Sequence, residues 1–236
     1  MRRIFLPAAT AFTLLAAAVC AGDFNTLTAA EKAAGWKLIF DGKTPAGWVA
    51  IGKTAFPDKG WTVVDGTLQH AKAGGGGDIV TAESFENFEL TWEWKIGEAG
   101  NSGVKYNLPN PEKDIGFEYQ LLDDEKHPDG IRGGRLHQTA GLYDLIEPAA
   151  ERKVKPVGEW NESRLLVQGA HVEQWLNGVK TVEFEIGSDD LKARIAKSKY
   201  AKIANFGMKV KSPVLLQDHG DEIAFRNLKL RVPAAK

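Results

Sequence analysis

Cysteine is almost missing from the 236-residue chain: Cys20 is the single one, which leaves no disulfide to brace the fold. An excess of charge of either sign is missing too. Thirty basic residues against thirty-one acidic ones give a net charge of -1, so nothing draws nucleic acid or an anionic membrane to the surface. Partners are expected to be neutral or small, and no nucleic acid is expected among them. The signatures of several catalytic classes are also absent. There is no Gly-x-Ser-x-Gly elbow for nucleophilic serine catalysis and no His-Glu-x-x-His spacing for a metal. Gly74 to Gly77 is followed by neither a Lys-Ser/Thr pair nor a helix, so it reads as a flexible loop and not as a phosphate cradle. No repeat and no linker divides the chain beyond its amino terminus.

Long apolar runs are confined to that terminus, where Arg2 and Arg3 precede the stretch from Ile4 to Val19 and then small residues. Residues 1–21 read as a secretory signal peptide. The run falls short of the roughly 20 residues that a spanning helix needs and contains Pro7. The expectation is an exported protein, periplasmic or extracellular, with no transmembrane segment in the mature chain. Lipid anchoring at Cys20 is the alternative, although Val19 just before it is bulkier than such a site normally accepts.

What is present points to β-structure. Seven Trp, four Tyr and eleven Phe suit a β-rich core, and equally aromatic platforms for sugar rings. Residues 22–34 form an amino-terminal segment in which Thr28 and Glu31 have the spacing of a capping box, predicting a short helix. From Trp36 onward, short apolar or alternating stretches are broken by Gly, Pro, Asp and Asn, the pattern of an antiparallel sandwich or barrel over residues 35–233. Expected strands include 37–41, 61–64, 88–96, 103–108, 117–122, 163–168, 171–176 and 223–232, the last with a bulge near Arg226 and Asn227. In the stretch from Phe88 to Ile96, Phe88, Leu90, Trp92 and Trp94 share one face. Asp65-Gly66 and Asn177-Gly178 suit tight hairpin turns, and the stretch from Asp189 to Lys202 has helical character.

The most informative segment for chemistry runs from Gly116 to Asp124. A strand there puts Glu118 and Gln120 on one face, while Phe117, Tyr119 and Leu121 make the other apolar. The polar pair then floors a cleft; a solvated outer sheet face is the alternative. Around it the sequence supplies Asn101, Lys105, His127, Tyr143, Gln217 and His219 as candidate acids, bases and amide donors. A divalent metal is conceivable from Glu118, Asp123 and His127, with His137 and His219 as further nitrogen donors, but no local spacing specifies one. No other cofactor is indicated.

Ordered blocks across the chain carry a family resemblance. They include Gly35-Trp36-Lys37-Leu38-Ile39-Phe40-Asp41-Gly42, Asn101-Ser102-Gly103, Glu118-Tyr119-Gln120-Leu121-Leu122-Asp123, Leu176-Asn177-Gly178 and Leu216-Gln217-Asp218-His219-Gly220. With these the chain resembles the 3-keto-disaccharide hydrolase family from about Gly35 to Val232. The resemblance implies an all-β, antiparallel jelly-roll β-sandwich of the concanavalin A-like lectin/glucanase type, with a small-molecule carbohydrate in a cleft on its concave face. It also implies cleavage of glycosides whose glucose ring carries a ketone at carbon 3. That ketone acidifies the carbon 2 hydrogen, so a base can remove it, the carbon 1 substituent leaves, and water adds. Glu118, His127 and His219 are then the candidate acid/base groups. Lys105, Tyr143 or a metal would stabilise the enolate, and Asn101, Gln120 and Gln217 would join in binding substrate. One departure is Gln174, where similar sequences often place His.

Two other readings compete. A non-catalytic carbohydrate-binding module would show an aromatic cleft without convergent acids and bases. A two-carboxylate glycosidase would use Glu118 with Asp123 at about 5 to 5.5 or 6.5 to 9.5 Å, which ideal strand alternation opposes without a bulge.

Overall fold

A computed structural model describes residues 24–233; the segment read as a signal peptide, with Cys20, lies outside them. The described chain opens with helix α1 (Ala29–Ala33). Thr28 accepts the Glu31 amide at 3.1 Å while the Glu31 carboxylate accepts the Thr28 amide at 2.7 Å, the reciprocal box that the Thr-x-x-Glu spacing predicts. There follow β1 (Lys37–Leu38), β2 (Trp48–Ala50), β3 (Trp61–Val64), β4 (Thr67–His70), β5 (Ile79–Thr81), β6 (Phe88–Ile96), β7 (Asn101–Tyr106) and β8 (Phe117–Leu122). Helix α2 (Pro128–Gly133) runs into a 3-10 turn (Gly134–His137), and then come β9 (Asn161–Gln168), β10 (His171–Leu176), β11 (Val179–Glu185), α3 (Asp189–Ile195), β12 (Leu215–Leu216) and β13 (Ile223–Arg231).

These strands make an all-β sandwich. The larger sheet runs β11-β10-β9-β6-β13-β4-β3 with β1 added on β13, the smaller runs β2-β5-β12-β7-β8, and all the pairings are antiparallel. Hairpin turns at Asp65-Gly66 (φ 48 and 73) and Asn177-Gly178 (φ 48 and 81) have the positive φ pair that matches strand twist. No helix among the described residues is long and apolar enough to cross a membrane.

Alternation in β6 decides where the core sits. Phe88, Leu90, Trp92 and Trp94 are buried, and they meet the inward phase of the smaller sheet: Trp92 lies edge-on to Tyr119 at 5.0 Å and Phe88 to Tyr106 at 6.4 Å. One polar thread crosses this core. Trp94 Nε1 donates to Ser163 Oγ at 2.9 Å, the Ser163 hydroxyl lies 2.9 Å from the Tyr119 hydroxyl, and Tyr119 donates onward to the Trp175 carbonyl at 3.0 Å. Satisfying each of these groups avoids the 1–3 kcal/mol that a buried orphan costs, by rough estimate.

Several boundaries differ from expectation for local reasons. The stretch expected over 37–41 ends at Leu38 because Asp41 accepts the amides of Lys43 and Thr44 and turns the chain. Strand β7 spans 101–106 in place of 103–108, and α3 stops at Ile195. Strands β2, β5 and β12 are two or three residues long, too short to show alternation; pairing with neighbours creates them. The bulge in β13 falls between Arg226 and Lys229 as expected. There Asn25 and Asn227 exchange amide and side-chain bonds, at 2.5 and 2.9 Å, which satisfies backbone that the bulge frees.

Candidate active site

Because β7 and β8 send Val104, Tyr106, Phe117, Tyr119 and Leu121 inward, they send Asn101, Lys105, Glu118 and Gln120 outward from the smaller sheet. These outward side chains are nonetheless buried. The segments around Ile115, Tyr143 and Lys199 to Ile203 wall them in, leaving a cleft of about 480 Å³ whose lining also takes in Asp78, Gln217 and His219. That volume suits one or two sugar rings. Tyr200 stacks on Phe206 at 4.1 Å, and Lys199 lies 4.1 Å over the Tyr143 ring, which ties this wall together.

Glu118 is the deepest acid of the floor. It pairs across strands with Lys105, whose Nζ lies 3.9 Å from Glu118 Oε2 and donates to the Asp114 carbonyl at 3.0 Å. Burial pushes the Glu118 carboxyl above its ordinary value, against the pull of Lys105. Room for the side chain comes from Gly103, where a Cβ would stand 2.6 Å from Glu118 Oε1. Three amide atoms lining the same cleft, Asn101 Oδ1, Gln120 Nε2 and Gln217 Oε1, are buried and find no partner within the protein. Orphaned amides gathered in one cavity are what a ligand rich in hydroxyl and carbonyl groups would satisfy.

Other candidates fall into place less directly. His219 lines the cleft, whereas His127 stands behind it, edge-on to His219 at 5.6 Å. His127 caps α2, its Nδ1 accepting the Asp129 amide at 3.1 Å. Burial and, next, His219 push the His127 imidazole below its ordinary value. Tyr143 does line the cleft, but its hydroxyl donates to Asp129 at 2.8 Å, and burial raises its pKa; that proton is already engaged. His137 clamps Asp129 and Asp144 at 3.0 and 3.3 Å, away from Glu118's pairings.

Asp123 does not join Glu118. Its carboxylate accepts the amides of Ala99, Glu125 and Lys126 and lines a different groove with Trp94 and Lys155, beyond the end of β8. It holds two turns and neither ligates with Glu118 nor flanks a bond with it. Gln174 is likewise remote: fully buried in β10, it donates to the Tyr106 hydroxyl at 3.0 Å inside the core. The departure from His at that position therefore touches packing and not the cleft.

For a divalent metal the structure brings together His127, His219 and Asp221, whose ligand atoms lie within 4.8 Å of one another. The donor types fit such an ion. The expected set of Glu118, Asp123 and His127 does not assemble. His127 would need to exchange its bond from the Asp129 amide for the metal, since a neutral ring offers one lone pair. Sequence reasoning did not single out Asp221, nor Asp78, Lys199 and Tyr200 in the cleft; strand pairing and loop closure bring them there.

The model of a 3-keto-alpha-glucoside-1,2-lyase-like domain matches residues 35–231. The chain belongs to this family. Within the 3-keto-alpha-glucoside-1,2-lyase-like proteins it is 33% identical over 243 residues to the 3-keto-disaccharide hydrolase of Bacteroides thetaiotaomicron, covering 90% of this chain and 83% of that one. Two crystal structures from Parabacteroides distasonis, both provisionally assigned as glycosyl hydrolases, share the fold. One superposes with a TM-score of 0.79 at 35% identity, over 89% of this chain and 99% of that chain. The other gives 0.66 at 27% identity, over 84% and 99%.

Proposed function

We propose that the protein is a carbohydrate-active hydrolase that cleaves 3-keto-glycosides, by eliminating the carbon 1 substituent and hydrating the unsaturated product. One observation carries the reading: a buried carboxyl, Glu118, stands 3.9 Å from a buried ammonium, Lys105, on a floor that holds three unpartnered amide atoms. Removing a hydrogen next to a ketone calls for a base at carbon 2 and positive charge at the ketone oxygen, where the enolate charge develops. Glu118 is the base in this scheme. Burial, which raises its pKa, makes its carboxylate a stronger proton acceptor than an exposed glutamate's, while Lys105 pulls the other way and supplies the positive charge beside it. Asn101, Gln120 and Gln217 hold the sugar's hydroxyl groups, and His219 stands at the wall. A divalent ion held by His127, His219 and Asp221 would add Lewis acidity beside the same cleft.

Family membership and the name of the Bacteroides relative support the substrate class. The convergence of Glu118 with Lys105 favours an enzyme over a binding module, which needs neither a buried base nor a charge partner for it. Export by way of residues 1–21 belongs to the proposal, and amino-terminal sequencing of the secreted protein tests it.

The functional test follows aglycone release from a 3-keto-glucoside and from its unoxidised parent, with and without chelator. Release from the keto sugar alone supports the proposal, and a loss with chelator that added metal restores would bring the metal into it. Equal cleavage of the parent would replace it with direct displacement at carbon 1.

A further inference from the structure

We infer that Asp78 is the acid that hands a proton to the leaving oxygen at carbon 1, opposite Glu118 across the cleft floor. The inference rests on the elimination proposed above and names the one role left unfilled there. Strand register brings the two carboxyls together. Leu216 pairs with Ile79 on one side and Val104 on the other, and the Gln217 amide donates to the Gly103 carbonyl at 2.9 Å. Asp78, Gln217, Gly103 and Gln120 therefore form one outward row across β5, β12, β7 and β8. Gly103 is the gap in that row, and Glu118 leans into it, its Oε1 2.6 Å from where a Cβ would stand. From the other end Asp78 leans toward β12, its Oδ1 accepting the Asp218 amide at 2.8 Å. Both carboxyls thus hang over neighbouring strands, whose backbones are about 4.8 Å apart.

The state of Asp78 suits a donor. It is 8% exposed, and burial pushes its carboxyl up to about 6, against the Asp218 amide bond and Lys105, with the Asp114 and Asp218 carboxylates adding to the rise. Glu118, Tyr143, Lys199, Tyr200 and His219 are the other charged or titratable groups on the cleft. The Asp218 amide orients the carboxyl through Oδ1, so the acidic proton sits on Oδ2. Structure alone does not call for an acid here, because an asparagine would accept the same amide without the cost of burying a charge.

The proton count closes. Glu118 takes the carbon 2 hydrogen as a proton, the electrons of that bond form the carbon 1–carbon 2 double bond, and the carbon 1–oxygen bond breaks with its electrons going to the leaving oxygen. That oxygen takes the Asp78 proton and departs as the alcohol. Water then adds to carbon 1, giving one proton to Asp78 while Glu118 returns its proton to carbon 2. Both residues end as they began, and one water is consumed.

The test compares Asp78→Asn with wild type on two 3-keto-glucosides, one with an alkyl and one with a 4-nitrophenyl aglycone, and follows carbon 2 hydrogen exchange in heavy water. Nitrophenolate leaves without help, so the expected result is a loss of about 10²-fold or more on the alkyl substrate and under about tenfold on the nitrophenyl one. Carbon 2 exchange should persist in the variant, showing that the base and the fold are intact. Equal losses on both aglycones, loss of exchange, or no loss on either would overturn the assignment. A wild-type enzyme that neither exchanges carbon 2 nor releases either aglycone would instead sink the elimination reading, and this assignment with it.

Discussion

Replacing Gly103 with alanine probes the placement of Glu118 without touching its chemistry. The new Cβ would stand 2.6 Å from Oε1, 3.0 Å from Cγ and 3.1 Å from Cδ, where ordinary contact begins at 3.4 Å. The carboxyl must therefore retreat by roughly 0.8 Å, the difference between 3.4 and 2.6 Å, and displacement on the order of 1 Å costs about 10²-fold in rate. Stability should move little. Gly103 is not among the positive-φ glycines, and alanine relieves a strand of glycine's entropy by about 0.5–1 kcal/mol, which offsets part of an overpacking cost of about 1–3 kcal/mol. The assay is single-turnover aglycone release from a 3-keto-glucoside alongside thermal unfolding. We expect a fall of about 10²-fold in the chemical rate with a melting shift of a few degrees at most. A variant that melts like wild type and reacts within about twofold of it would refute the role of Glu118 as the positioned base.

Other perturbations separate the site from its scaffold. Folding raises the Asp78 pKa from 3.8 to about 6, so the folded state binds that proton more tightly and the group's contribution to stability is lost as pH rises through this window. Asp78→Asn should accordingly stabilise the protein by on the order of 3 kcal/mol at pH 7.5 and by nothing below pH about 3.5, read from melting at the two pH values. Ser163→Ala leaves Trp94 Nε1 without its acceptor and Tyr119 without its bridge; a loss of about 1–3 kcal/mol by denaturant titration, with turnover unchanged, is expected. Gln174→His disturbs the buried bond to Tyr106 and should lower stability by about 1–3 kcal/mol, leaving kcat and any metal response as they were. A change in metal dependence there would show that β10 reaches the cleft.

How far the sequence reveals this arrangement depends on whether the two faces of a strand differ in chemistry. In β6 they do, apolar Phe88, Leu90, Trp92 and Trp94 against Thr91, Glu93 and Lys95, and its bounds are readable to the residue. In β8 the apolar phase of Phe117, Tyr119 and Leu121 likewise exposes Glu118 and Gln120 as a polar floor. Strand β7 is buried on both faces, one against the core and one beneath the cleft wall, so Asn101 and Ser102 look like a turn. Asp78 is illegible for a different reason. It enters the site only because β12 inserts between β5 and β7, a pairing between distant segments that leaves no local pattern. Asp123 shows the opposite error: an acid of the right type close to Glu118 in sequence, which the end of β8 turns to capping backbone amides.

The account turns on whether the carbon 2 hydrogen is removed by Glu118 on the way to cleavage. The most direct measurement is single-turnover release from a 3-keto-glucoside carrying deuterium at carbon 2, set against the protiated substrate, in wild type and Glu118→Gln. A clearly slower wild-type reaction with deuterium, and a fall of about 10²-fold or more in the variant, is the predicted result; equal rates for the two isotopes, with Glu118→Gln still active, would contradict it.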